Sequence, residues 1–363
     1  MQQKKDEGYQ LIRFVLIWTI VVQHVLTTAS ENGIPKPYLL EAVFYRLSGC
    51  FGQLAVSLFF MLSGALLWKN HRTAENPAAF YWKHIIKILL PIWICSVPLI
   101  LLDYMRDPGL FTSAYFRSTV FYNLFGVDLY LWVFKHTYPY HVCGEWFTSV
   151  ILTVYLLFPL LRAAFQRKGI RIISTGIITV LFFLNLRFPV MTMGDGWYSF
   201  TRGIFFFWMG MIFEEHRDVL DRRSTALFAF AGFAAVYFFQ YQRMLGSVFL
   251  PNILASLCSF PVLYRLGIEA DALLSRPFFA RMIDGTCNKN YLIYLCHHFL
   301  IMLFMPLLLD SNTNAFRFCL FIAFSIIISY GCAAMTSPIV KALTQKAFAF
   351  KEKDKIRCNA EQP

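Results

Sequence analysis

The sequence predicts an all-α, polytopic integral membrane bundle of about ten transmembrane helices, and three observations predict it. Of the 363 residues, 58% are hydrophobic and only 15% charged, against roughly a quarter charged in soluble domains. The 39 Phe, 18 Tyr and 8 Trp fall in long apolar runs, giving a mean hydropathy of +0.53. The Lys and Arg gather at the ends of those runs, so the net charge of +12 belongs to membrane topology and anionic lipid headgroups. Nucleic-acid binding is excluded, since no basic stripe of the kind it needs is present.

Each apolar stretch near the roughly twenty residues needed to cross the hydrocarbon core is a predicted span. In order these are Leu11 to Ala29, Phe51 to Trp68, Ile85 to Leu102, Trp146 to Ala164, Ile172 to Leu186, Ser199 to Phe213, Ala226 to Tyr241, Ser247 to Leu266, Tyr291 to Leu309 and Phe316 to Val340. The aromatic stretch Phe116 to Phe134 is interrupted by Asn123 and Asp128 and reads as an interfacial or partly re-entrant segment. The first span carries Arg13 and His24 and is followed by no small-residue cleavage site, so it is retained and is not a cleaved signal.

Basic residues are retained preferentially on the cytoplasmic side. With the N-terminus inside, 22 of the 33 Lys and Arg fall in the N-terminal tail, four inner loops and the C-terminal tail, and nine in the outer loops. Both termini are therefore expected in the cytoplasm of a multi-pass cell-membrane protein. One membrane domain, residues 1–345, is expected to carry the chemistry, with 346–363 a solvated basic tail that anchors topology. No repeat, low-complexity tract or soluble domain is visible. The nine Cys show no metal-ligand spacing, and no metal is expected. Most lie in apolar runs as small hydrophobes, while Cys50 and Cys143 both fall on the expected outer side and are candidates to pair.

Ionisable groups inside spans are costly unless they line a polar cavity, so each is a functional candidate. Arg13 and His24 are eleven residues apart, about 16 Å along a helix and within a few tens of degrees of one face. Both can look into one cavity. Gly52 to Gly64 holds small residues at Gly52, Ser63 and Gly64, whose simplest role is close helix packing. Lys83, His84 and Lys87 precede Pro91 at the inner boundary of the third span. They serve either as ordinary topology anchors or as a cradle for phosphates. Tyr294, His297 and His298 lie at the inner end of the ninth span; two adjacent His point apart on a helix, which argues against a metal pair and for one inward His beside aromatics.

With these residues in hand, the sequence resembles the membrane acyltransferase family 3. Arg13, ten residues and His24 match the family's first-span signature in register, and Phe59 to Gly64 match its Phe-Phe-x-Leu-Ser-Gly close. His84 and Lys87, with Lys83 beside them, loosely match the third-span basic pair. Glu145-Trp146-Phe147 through Tyr155 to Pro159 resembles the Trp-Phe to Tyr-Leu-x-x-Pro block, and Ile293 to His297 the late Tyr-Leu-x-His block. Two departures stand out: Gln10 occupies a position commonly acidic in the family, and Lys87 replaces an Arg, losing the bidentate fork that suits phosphate.

The resemblance implies transfer of an acetyl or other short acyl group from cytoplasmic acyl-CoA (acetyl-CoA) to an extracytoplasmic hydroxyl, on a glycan or glycolipid. It implies His24 as general base, with an acyl-His intermediate as the variant, and Glu145 as a second catalytic group beside Tyr140 and His141 at the acceptor's entry. Arg13, Lys83, His84, Lys87, Ser63, Trp146, Tyr294 and His297 are the implied substrate-binding residues. Two rivals use the same intramembrane groups: a secondary transporter or flippase with a His/Arg relay, and a non-catalytic sensor or assembly partner that has no need of His24. No internal symmetry or matched pair of broken helices supports the transporter.

Overall fold

The computed structural model describes residues 6–43, 51–73, 76–137, 143–144, 146–189, 192–193, 198–241 and 249–360. In chain order the helices are α1 (Glu7–Glu31), α2 (Tyr38–Glu41), α3 (Phe51–Asn70), α4 (Pro77–Arg106), α5 (Ala114–Leu124), α6 (Asp128–Lys135), α7 (Trp146–Gln166) and α8 (Lys168–Arg187). They continue with α9 (Phe200–Glu215), α10 (Arg217–Leu220), α11 (Arg223–Tyr241), α12 (Phe249–Glu269), α13 (Asp271–Leu274), α14 (Pro277–Cys287), α15 (Asn290–Leu308) and α16 (Ala315–Ala360). A two-residue antiparallel pair, Thr192–Met193 with Tyr198–Ser199, precedes α9.

The protein is an all-α polytopic membrane bundle. Each of the ten expected spans falls on one helix, and eight of these are long and apolar enough to cross a membrane. The other two are α11 and α9, whose 16 residues rise only about 24 Å. Large apolar side chains point outward along the bundle, among them Phe228 (80% exposed), Met335 (77%) and Ile327 (70%). Such a surface is tolerated only against lipid.

The Phe116 to Phe134 stretch does not cross. It breaks into α5 and α6, of 11 and 8 residues, and the residues that interrupt the apolar run make the break. Asn123 donates to Asp128 (2.9 Å) and to the Cys143 carbonyl (2.9 Å), joining the turn to the chain that enters α7.

At the end of the bundle where α1 begins, called here the proximal face, ion pairs lock helix ends together. Asp6 caps α1, accepting from the Tyr9 backbone N–H, and pairs with Lys69 at the end of α3 (2.6 Å) and with Arg217 (3.1 Å). Tyr264 of α12 donates to the same carboxylate (3.2 Å). Nearby, Glu215 at the end of α9 pairs with Arg171 of α8 (3.0 Å) and accepts from the Trp68 indole (3.0 Å). Helix ends from α1, α3, α8, α9 and α12 are thereby held in register.

Helices α3 and α9 run parallel and cross closely at two glycines. A Cβ on Gly64 would lie 1.9 Å from the Phe207 carbonyl oxygen, and one on Gly210 would lie 1.9 Å from that of Met61. Only glycine fits either place. The packing role read from the small residues of the second span therefore holds for Gly64, while Ser63 beside it turns to a cavity. Toward the other, distal end, Arg202 of α9 is fully buried. Its guanidinium donates to the Gln53 side chain and carbonyl and to Ser57 (2.9 Å) of α3.

Candidate active site

A cavity of about 730 Å³ opens among α1, α3, α4, α7, α15 and α16. Its ionisable lining is basic or phenolic apart from the Cys287 thiol: Arg13 from α1, His84 and Lys87 from α4, Lys289 at the start of α15, Lys341 from α16, and Tyr155, Tyr291 and Tyr294. No carboxylate is among the described residues that line it. The remaining wall is apolar, with Ile20, Val56, Phe59, Leu62, Phe147 and Ile151.

Helical spacing accounts for which cations arrive there. On α4, His84, Lys87, Ile88 and Pro91 lie within about 100° of one another, and all four line the cavity. Lys83 lies about 40° beyond Lys87 on the far side from His84 and, unlike those two, is not among the lining residues. His84 is steadied by its Nδ1 against the Phe80 carbonyl (2.8 Å) and by rings of Phe80 (4.2 Å) and Tyr155 (5.6 Å). Tyr155, Ser63 and Arg13 line the cavity together, bringing the fourth, second and first spans to one site.

His24 stands beyond the cavity, on the same face of α1 as Arg13 and against the same helix. Asn290 of α15 donates to the Arg13 carbonyl (3.0 Å), while farther along the two parallel helices the His24 ring meets those of His297 (4.9 Å) and His298 (4.4 Å). The eleven-residue spacing predicts one shared cavity; Arg13 lines it, whereas His24 is not among its lining residues and meets α15 beyond it. Because α15 begins at Asn290, His297 is two turns in, about 10 Å along the axis, where it reaches His24. His297 is buried, and its Nδ1 lies 2.7 Å from the Tyr294 carbonyl. With a proton on Nδ1, a neutral ring presents Nε2 as acceptor. The three imidazoles meet through their rings, and among the described residues no group of three His, Cys, Asp or Glu side chains is arranged to hold a metal ion.

The remaining sequence candidates separate from this centre. Trp146 is buried at the distal start of α7, against Phe60 (6.2 Å), Tyr198 (5.2 Å) and the Arg202 guanidinium (5.7 Å), and is not among the cavity's lining residues. Glu145, Tyr140 and His141 lie outside the described residues, as does Cys50. The thiol of Cys143, its candidate partner, is buried and reduced and meets that of Cys95. Sequence reasoning missed Lys289, Lys341, Tyr155 and Phe147 as cavity residues and Arg202 as a buried charge. The two Lys were visible only as end-of-span basics, with nothing local to separate them from topology anchors.

A family model described as an acyltransferase domain, that of acyltransferase family 3, matches residues 6–334. Among curated proteins and solved structures, none matches the chain. The matched region contains α1 through α15 and most of the membrane part of α16, and so all the cavity residues except Ser337, Val340 and Lys341. The protein belongs to acyltransferase family 3 and is a multi-pass membrane acyltransferase.

Proposed function

We propose that the protein transfers an acetyl or similarly short acyl group from cytoplasmic acyl-CoA to a hydroxyl of an extracytoplasmic glycan or its lipid-linked precursor. The observation that carries this reading is the cavity's lining: Arg13, His84, Lys87, Lys289 and Lys341 converge, with no carboxylate among the described lining residues. A cavity so charged favours an anion with several phosphates, and its apolar upper wall suits the pantetheine arm. The nucleotide stays at the proximal face, placed in the cytoplasm by the basic asymmetry, and the thioester extends toward His24, about 16 Å farther along α1 by helix rise.

His24 then removes the proton from the acceptor hydroxyl as the oxygen attacks the thioester carbonyl. Collapse of the tetrahedral intermediate breaks the C–S bond, and the departing CoA thiolate takes that proton from His24. His297 and His298, ring to ring with His24, orient the imidazole through the step. Lys83 adds to the field at the cavity's flank, Ser63 and Tyr294 line the donor's path, and Trp146 and Glu145 serve the acceptor at the distal end. The test is binding and turnover by purified protein in detergent. Acetyl-CoA is expected to bind and to lose its acyl group slowly to water or to an added sugar, and absence of both binding and CoA release overturns the reading.

A further inference from the structure

Three aromatic rings from three different helices, Phe59 of α3, Phe147 of α7 and Tyr294 of α15, lie in a row along the cavity, and Tyr294 connects the row through His297 to His24. All three line the cavity, whereas His24, His297 and His298 do not. The rings form a continuous row, with centroids 6.4 Å apart for Phe59 and Phe147 and 5.3 Å for Phe147 and Tyr294. Tyr294 in turn meets His297 at 5.9 Å, and His297 meets His24 at 4.9 Å. These spacings are those of aromatic rings in van der Waals contact, so the row runs without a break from the cavity wall to His24.

Fixed neighbours limit how far the rings can part. Phe147 is backed at 4.7 Å by Phe60, which is fully buried, and Tyr294 stacks on Tyr291 at 6.2 Å. A close-packed interior gives way by rotamer changes and small shifts, and admitting excess volume is costly.

We propose that Phe59, Phe147 and Tyr294 form a collar that determines the acyl-chain length this enzyme accepts, passing a two- or three-carbon group and rejecting longer ones. This rests on the donor assignment above. With the carbonyl at His24 the slim pantetheine arm lies through the rings, and a short acyl group fits the space left among the three imidazoles. A longer chain must either hold the collar open or crowd the space around the three imidazoles. Each methylene too many in a fitted apolar site lowers kcat/KM by roughly tenfold or more.

The experiment is a series of acetyl-, propanoyl-, butanoyl- and hexanoyl-CoA, read by CoA release and by direct binding, for the wild type, Phe147→Leu, Phe147→Ala and Phe59→Leu. The wild type is expected to fall steeply beyond three carbons in kcat/KM. The Phe147 variants are expected to raise the butanoyl-to-acetyl ratio of kcat/KM by about tenfold, a ratio that a general loss of donor binding would not move. Phe147→Leu retains most of the packing volume and keeps the test valid where Phe147→Ala does not fold. A wild type indifferent to chain length, or variants with an unchanged length profile, overturns the collar while leaving the donor assignment standing. Failure of every acyl-CoA to bind the wild type overturns the donor assignment and the collar's role together.

Discussion

His24 and His298 face each other at 4.4 Å between ring centroids across the seam of α1 and α15. With His297 meeting the same ring at 4.9 Å, the proposed proton-accepting imidazole packs against two other imidazoles, which fix its position.

His24→Ala is therefore expected to lower the rate of transfer at least a hundredfold, in line with loss of a general base. Acyl-CoA affinity is expected to stay near the wild-type value, because the cations lie about 16 Å away along α1. Turnover and binding measured on the same preparation separate the two. More than a few per cent of residual turnover would remove His24 from the proton transfer.

Arg13→Ala and Lys87→Ala are expected to show the opposite split. Each removes one charge-assisted contact to phosphate, about 1.5 to 3 kcal/mol, or roughly ten- to hundredfold in Kd. Lys341→Ala, on α16 at the cavity's edge, is expected to weaken binding less and to lose its effect as salt rises, since exposed charges are screened. Calorimetry with acyl-CoA at low and high salt reads both. Unchanged affinity in all three variants would refute the cationic cradle.

Gly64→Ala and Gly210→Ala are expected to destabilise the bundle by about 1 to 3 kcal/mol each, as over-packing does. In both, the new Cβ would fall 1.9 Å from a backbone carbonyl oxygen, so the helices themselves must separate. Because the two glycines share one crossing, the double variant should cost less than the sum. Thermal unfolding in detergent gives all three values, and strict additivity would mean that the sites yield independently.

The helices themselves were legible from hydropathy because lipid rewards continuous apolar runs, and Arg13 with His24 was legible because both lie on one helix, where spacing fixes angle. Lys289 and Lys341 were not, since what turns an end-of-span cation into a cavity residue is the approach of α15 and α16 to α1 and α4. Phe147 was legible as part of the Trp-Phe motif but not as a cavity ring, since its place between Phe59 and Tyr294 depends on how α7 packs against α3 and α15. His297 was legible as an inward histidine and at its depth in the helix, but not as a neighbour of His24, since that contact depends on how α15 packs against α1.

Orientation is the remaining test, because the proposed division of donor and acceptor between faces depends on it. The proximal face carries Lys69, Arg72, Arg171, Arg217 and Arg223, each in an ion pair with Asp6, Glu215 or Glu269, and the cavity's cations lie toward the same end. From the retention of basic segments inside, this face is expected in the cytoplasm, where acyl-CoA is made, and the α1 to α2 connection outside. In a background lacking the nine native Cys, Lys36→Cys should react with a membrane-impermeant maleimide in intact cells, and Lys346→Cys should react only after the membrane is opened. The reverse pattern would place the cationic cavity outside, where no acyl-CoA reaches it, and the donor assignment would fall with the topology.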